Sequence, residues 1–170
     1  MVHSLFQPSL RTGFLLIALA CAGAMGFALF AQYYMDLEPC PLCVFQRVAV
    51  IMTGLLALLG ALLSPRSAGG GRGLMAGLTG LASLSGAGVA AWQVRLQNLP
   101  ADQVPACGPG LDYMLETMPF TDMLAKVFKG SGECAEVSWT LLGLSLPAWS
   151  LVFLIGITVF AAWLARMPRR

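Results

Sequence analysis

Apolar residues run almost without a charge through Gly13–Gln32, Val44–Leu63, Leu74–Trp92 and Leu146–Ala165, with one basic residue, Arg47, in the first turn of the second run. Each run has about the 20 residues that an α-helix needs to cross about 30 Å of hydrocarbon. The pattern therefore predicts four membrane-spanning helices. Between them lie a short polar piece at 33–43, a turn containing Gly, Ser and Arg at 64–73, and a long polar stretch at 93–145. The expected architecture is an all-α membrane protein. It is a four-transmembrane-helix bundle forming one integral domain over residues 1–170, with a long extracytoplasmic loop.

Within that loop, Phe120, Met123, Leu124, Val127 and Phe128 recur at helical spacing opposite Asp122, Lys126 and Lys129, and Gly130 follows as a C-terminal stop. A short amphipathic helix is predicted there. Two placements suit it: flat on the membrane surface, or packed as an ordinary loop helix. In the third span Gly77, Gly80, Gly86 and Gly88 admit close approach of a neighbouring helix.

Charge orients the bundle. Four crossings put both chain ends on one side, where Arg11, Arg66, Arg72, Arg166, Arg169 and Arg170 collect without an acid. All eight acids fall on the other side, with Arg47, Arg95, Lys126 and Lys129. The positive-inside rule then places the termini in the cytoplasm and the segments 33–43 and 93–145 outside it. Tyr33, Tyr34, Trp92 and Trp149 near the outer span ends, and Trp163 near an inner end, match interfacial aromatic belts. Ala18-Leu19-Ala20 has the look of a signal-peptide cleavage site, but only about five apolar residues precede it, against the 7–15 such a signal needs. The first run is therefore read as an uncleaved span.

Composition narrows the function classes. The 170 residues are 58% hydrophobic and 11% charged, against roughly 25% charged in an ordinary soluble domain. A water-soluble globule is excluded, as is disorder, which requires low hydrophobicity and high net charge. The net charge of +2 gives no basic patch for nucleic acid.

Cys21 falls mid-membrane and reads as a packing residue. Cys40, Cys43, Cys107 and Cys134 all fall on the outer side, where disulfides persist. The suggested pairs are Cys40 with Cys43, which are neighbours, and Cys107 with Cys134, which share a loop. Cys40-Pro41-Leu42-Cys43 is a C-x-x-C unit at the start of the second span. Its loop is too short to constrain the unfolded chain much, whereas adjacent thiols interchange readily between dithiol and disulfide. Cys43 lies near a helix N-terminus, and Arg47 follows four residues on along the same face; both favour a thiolate. Arg47 could instead be a snorkelling interfacial anchor. Cys107 and Cys134 sit among Pro and Gly in segments expected to be exposed and mobile. Two inert disulfides would explain the long loop but not the short unit. A four-thiolate zinc site lacks a second C-x-x-C, so no metal is expected.

The ordered set of Cys40-Pro41-Leu42-Cys43 with Gln46-Arg47, Trp92, Leu99-Pro100, Cys107-Gly108-Pro109, Gly132-Glu133-Cys134-Ala135-Glu136, Trp139, Leu142-Gly143-Leu144, Pro147 and Trp149-Ser150 resembles the disulfide bond formation protein B family. That family comprises bacterial inner-membrane oxidoreductases that reoxidise the periplasmic oxidant DsbA with membrane quinone, ubiquinone or menaquinone. The resemblance implies redox-active cysteines at 40, 43, 107 and 134. A mixed disulfide between DsbA and Cys107 would free Cys134, which would attack Cys40 and release Cys43 beside the quinone. It also implies that Arg47 and Cys43 form the quinone site, Arg47 polarising a quinone oxygen. Some relatives carry an acid where this chain has Gln46, and a His soon after the third span where it has Gln93-Val94-Arg95. The lone His3 is on the wrong side, which leaves Arg95 as the candidate for charge in that pocket and the proton donor to quinone unassigned. Two rivals stand beside this reading. One is a membrane scaffold or accessory protein with two structural disulfides. The other is an oxidase like vitamin K epoxide reductase, whose quinone-proximal C-x-x-C comes late in the chain.

Overall fold

The computed structural model describes residues 9–63, 71–100, 102–104, 111–130, 132–137 and 139–166. His3, Arg66, Cys107, Arg169 and Arg170 lie outside the described residues, as does the side chain of Arg72. Four long helices, α1 (Leu10–Tyr34), α2 (Pro41–Leu63), α3 (Gly71–Gln97) and α7 (Leu146–Arg166), are each long and apolar enough to cross a membrane. A helix pairs its backbone N–H and C=O groups within the segment, as hydrocarbon demands. Leu19, Leu62, Leu81 and Val159 point outward from the bundle, a placement that costs nothing against lipid tails as apolar as leucine.

The helices contain the four predicted spans, and α3 differs most from its span. It continues five residues beyond Trp92 to Gln97, because a helix is ended by a cap or a breaker and Gln93 is neither. This extension carries Gln93 and Gln97 to the end of the bundle that holds Cys40.

α2 packs between α1 and α3, and α3 packs along α7. Small residues set these distances. A Cβ on Gly86 would lie 2.7 Å from Ala49 Cβ and 3.0 Å from Leu154 Cδ1, so the glycine is what lets α2, α3 and α7 converge. Among the other glycines of the predicted stripe, a Cβ at Gly80 would touch only Ala161 at 3.9 Å, and Gly77 and Gly88 face open space. Only Gly86 of the four therefore mediates close approach. Cys21 is buried against Gly54, where an added Cβ would come within 3.0 Å of Cys21 Cβ. The first core holds Phe14, Ile17, Cys21, Leu154 and Leu164 among alanines. Ser83 on α3 donates to Leu154 O on α7 at 2.7 Å, one interhelical bond within it.

The loop between α3 and α7 folds into α4 (Leu111–Thr117), α5 (Phe120–Lys129), α6 (Gly132–Ala135) and a hairpin of β1 (Thr140–Leu141) and β2 (Leu144–Ser145). α5 is the predicted amphipathic helix. It stops at Gly130, whose φ of +89° suits a residue without Cβ and whose N–H donates to Val127 O. Met123 and Val127 are buried in a second core with Leu42, Leu96, Met114 and Cys134, so α5 packs on the protein. Phe120 stays exposed, and the Phe128 ring meets Phe45 of α2 at 5.7 Å. The hairpin pairs Thr140 with Ser145 and Leu141 with Leu144, turning through Leu142 and Gly143 at φ of +53° and +81°. Trp149 is drawn in toward this turn, its indole N–H donating to Leu141 O at 3.0 Å. Tyr33, Tyr34 and Trp163 are exposed near span ends, as an aromatic belt requires.

Candidate functional site

The site is built on the first turn of α2. Pro41 opens the helix, where its missing N–H costs nothing and its fixed φ suits the first position. Cys40 precedes it as the cap: Val44 N–H donates to Cys40 O at 3.2 Å and Cys43 N–H to Cys40 Sγ at 3.4 Å. Cap geometry thereby brings the two sulfurs of the C-x-x-C unit to 3.1 Å.

α3 supplies the opposite wall. Gln93, 2% exposed, directs Nε2 to Cys40 Sγ at 3.1 Å and to Cys43 Sγ at 3.4 Å, and Cys43 Sγ lies 3.6 Å from Gln93 Oε1. Gln46, 4% exposed and one turn along α2 from Cys43, donates from Nε2 to Gln93 Oε1 at 2.7 Å. A buried amide without a partner costs about 1–3 kcal/mol, and this pairing avoids that cost for both side chains. No spacing or motif signals the pair, which joins residues 47 positions apart.

Cys134 comes from α6 and is buried beneath α5. Its side chain is hydrogen-bonded to Cys40. The Cys40 thiol is consequently held well above the ordinary range, first by that bond, then by the one to Cys43, and then by burial. Three of the four expected redox cysteines thus converge on one spot. Cys134 is not the exposed, mobile residue its glycine-rich surroundings predicted, because the second core closes over it.

Arg47 takes a different direction from the one its spacing suggested. Its guanidinium donates to Gln32 Oε1 and, at 3.2 Å, to Ala28 O, both on α1. The i, i+4 relation puts it on the Cys43 face, but its length lets α1 acceptors claim it. Arg95 does not supply charge to this pocket. It is exposed and lies over the Trp92 ring at 5.4 Å, outside the cavity lining.

Cys40, Cys43, Gln46, Arg47 and Gln93 line the polar end of a cavity of about 480 Å³ between α1 and α7. Its apolar walls come from α1, through Ala20, Ala24, Met25 and Phe27, and from α7, through Trp149 and Phe153. The linker after α1 folds back over its mouth, Leu37 N–H donating to Ala31 O at 3.2 Å, and adds Glu38 and Pro39. On the loop side, Gln97 accepts from Ser145 Oγ at 2.7 Å and donates to Glu136 O at 3.5 Å, joining α3 to the hairpin and to the end of α6. Such an enclosure suits a flat apolar molecule presenting a polar edge to the sulfurs.

Comparison with known proteins agrees with the family resemblance and the four helices. The family model described as disulfide bond formation protein DsbB matches residues 10–164. Disulfide bond formation protein B of Chromobacterium violaceum is 54% identical over 160 residues, covering 94% of this chain and 95% of that protein. The protein of the same name from Hahella chejuensis is 53% identical over 94% of this chain and 96% of its own length. The one from Xanthomonas campestris is 42% identical over 97% of both. With four apolar helices, a capped C-x-x-C unit and a match across nearly its whole length, the chain belongs to the DsbB family of disulfide bond formation proteins, membrane-bound thiol oxidoreductases.

Proposed function

We propose that this chain reoxidises a periplasmic dithiol oxidase of the DsbA kind and passes the electrons through two cysteine pairs to membrane quinone, ubiquinone or menaquinone. It works as a multi-pass protein of the bacterial inner membrane with both termini in the cytoplasm. The observation that carries this reading is the contiguous line from Cys134 to Cys40 to Cys43 to the cavity. Thiol–disulfide exchange needs an attacking sulfur to reach a disulfide sulfur, and the Cys134 side chain lies within hydrogen-bonding reach of Cys40.

The steps follow from sulfur chemistry. A DsbA thiolate attacks the Cys107–Cys134 disulfide at Cys107, and Cys134 leaves as thiolate. Cys134 then attacks Cys40, forming a Cys134–Cys40 bond and expelling Cys43 as thiolate. DsbA closes its own disulfide, freeing Cys107, which attacks Cys134 and restores the loop disulfide. Two electrons now reside on Cys40 and Cys43 as a dithiol.

The cavity residues fit a quinone: the sulfurs and amides form a polar end, and Ala20, Ala24, Met25 and Phe153 leave an apolar slot. Cys43, Arg47 and Gln93 would hold the head group. A quinone held there would supply a two-electron, two-proton acceptor, against which Cys40 and Cys43 would return to disulfide. Arg47 contributes a fixed positive charge to that end of the cavity, which favours negative charge developing there. Its bonds to Gln32 and Ala28 O keep the guanidinium in place.

The test is to add reduced DsbA to membranes holding Cys134→Ala and wild-type protein. A trapped DsbA–Cys107 mixed disulfide in the variant, and quinone-dependent DsbA oxidation by the wild type, are expected. Arg47→Ala should raise the quinone concentration needed for half-maximal rate while leaving the trapped complex unaffected. Absence of both the mixed disulfide and quinone-dependent oxidation would leave a scaffold with two structural disulfides as the better reading.

A further inference from the structure

A carboxamide has a donor end and an acceptor end, so a bond that occupies one end decides what the other presents. At the sulfurs, Gln46 Nε2 donates to the Gln93 oxygen at 2.7 Å, an acceptor that the Cys43 thiol reaches only at 3.6 Å, and the Gln93 NH₂ group faces Cys40 and Cys43 more closely, at 3.1 and 3.4 Å. Both amides are buried, so water does not compete strongly for either. Donation to a sulfur carrying negative charge is about twice as strong as donation to a neutral one. The arrangement therefore favours the reduced pair, with its negative charge on Cys43, over the disulfide.

We infer that Gln93 is a catalytic residue of this chain, donating hydrogen bonds that stabilise the sulfur anion released at Cys43, and that Gln46 is the positioning residue that keeps its amide turned the right way. The inference deepens the proposed thiol oxidase reading and rests on it for its role in turnover. Gln46 acts through Gln93: it lines the same cavity, but its amide donates to the Gln93 oxygen. Replacement of Gln46 by Glu would keep the size and reverse the polarity. A carboxylate only accepts, so it would draw the Gln93 NH₂ group to itself and turn the Gln93 carbonyl toward the sulfurs, where it opposes an anion.

The experiment uses full-length protein in nanodiscs free of quinone. The Cys40–Cys43 pair is equilibrated in glutathione buffers and read by thiol labelling and peptide mass, and the alkylation rate of Cys43 at fixed pH is followed in the fully reduced protein. Gln93→Leu is expected to move the equilibrium about tenfold toward disulfide, about 30 mV for a two-electron couple, and to slow Cys43 alkylation about tenfold, the size of one charge-assisted hydrogen bond. Gln93→Met, closer in shape, gives the same result and serves where the leucine variant folds poorly. Gln46→Glu should shift both readouts in the same direction, and Gln46→Glu combined with Gln93→Leu should do no more than Gln93→Leu alone. An unchanged equilibrium and alkylation rate in Gln93→Met would overturn the inference. Effects of Gln46→Glu and Gln93→Leu that multiply would overturn the positioning role of Gln46. Neither readout uses quinone or a partner protein, so a wild-type chain unable to oxidise DsbA sinks the proposed function while these measurements still decide the role of the amides.

Discussion

Two buried cysteines mark two regions built on different rules. Cys21, 3% exposed, lies in α1 against Gly54, in a core of alanines and a few large side chains. Cys134, 1% exposed, lies in the one-turn α6, bonded to Cys40 and packed under Met123 and Val127. Equal burial therefore says nothing about reactivity. The neighbour decides: a sulfur beside a glycine fills space, whereas a sulfur beside another sulfur has an exchange partner. The first region keeps its polar groups within its helices or in single bonds such as Ser83 to Leu154 O. The second gathers three thiols and two amides that the helices cannot satisfy by themselves.

Substituting the two cysteines probes that contrast most strongly. Cys134→Ala is expected to reduce dithiol oxidation to the background rate, while Cys21→Ala leaves it within about twofold, because only a small packing side chain is lost. A comparable loss from both would erase the distinction. In the helical region, Gly86→Ala forces a Cβ to within 2.7 Å of Ala49 Cβ and should destabilise the protein by about 1–3 kcal/mol. Gly88→Ala, which meets nothing, should be neutral or slightly stabilising in thermal unfolding in detergent. Near the sulfurs, the raised Cys40 thiol should remain protonated where an ordinary cysteine of pKa about 8.5 is already ionised. Alkylation of reduced Cys40 should therefore lag that of a model thiol up to and beyond pH 8.5. Cys134→Ala removes the largest cause of the rise and should speed the reaction. A smaller loss than that of Gly86→Ala is expected of Ser83→Ala, about 0.6 kcal/mol for one interhelical bond in a membrane, read by the same unfolding assay.

The sequence made legible what depends on local period and composition: four spans, the amphipathic α5 with its Gly130 stop, and a C-x-x-C unit at a helix start. Hydropathy closed the third span at Trp92, since an amide ends an apolar run although it does not end a helix, and this hid the placement of Gln93 and Gln97. The hairpin escaped notice because Leu142-Gly143 lacks the Asn-Gly or Asp-Gly signal of a tight turn. The direction of Arg47 was open because spacing fixes a face and not which acceptor on a neighbouring helix wins. Pairings such as Gln46 with Gln93 and Cys134 with Cys40 join residues far apart in the chain, and only the packed bundle brings them together.

The extra turn of α3 has a mechanical consequence. Gln93 grips the sulfurs while Gln97, about 6 Å farther along the same axis at 1.5 Å per residue, grips the hairpin and the segment just after Cys134. An α-helix resists stretching, so one short rod sets the spacing between the hairpin and the sulfurs.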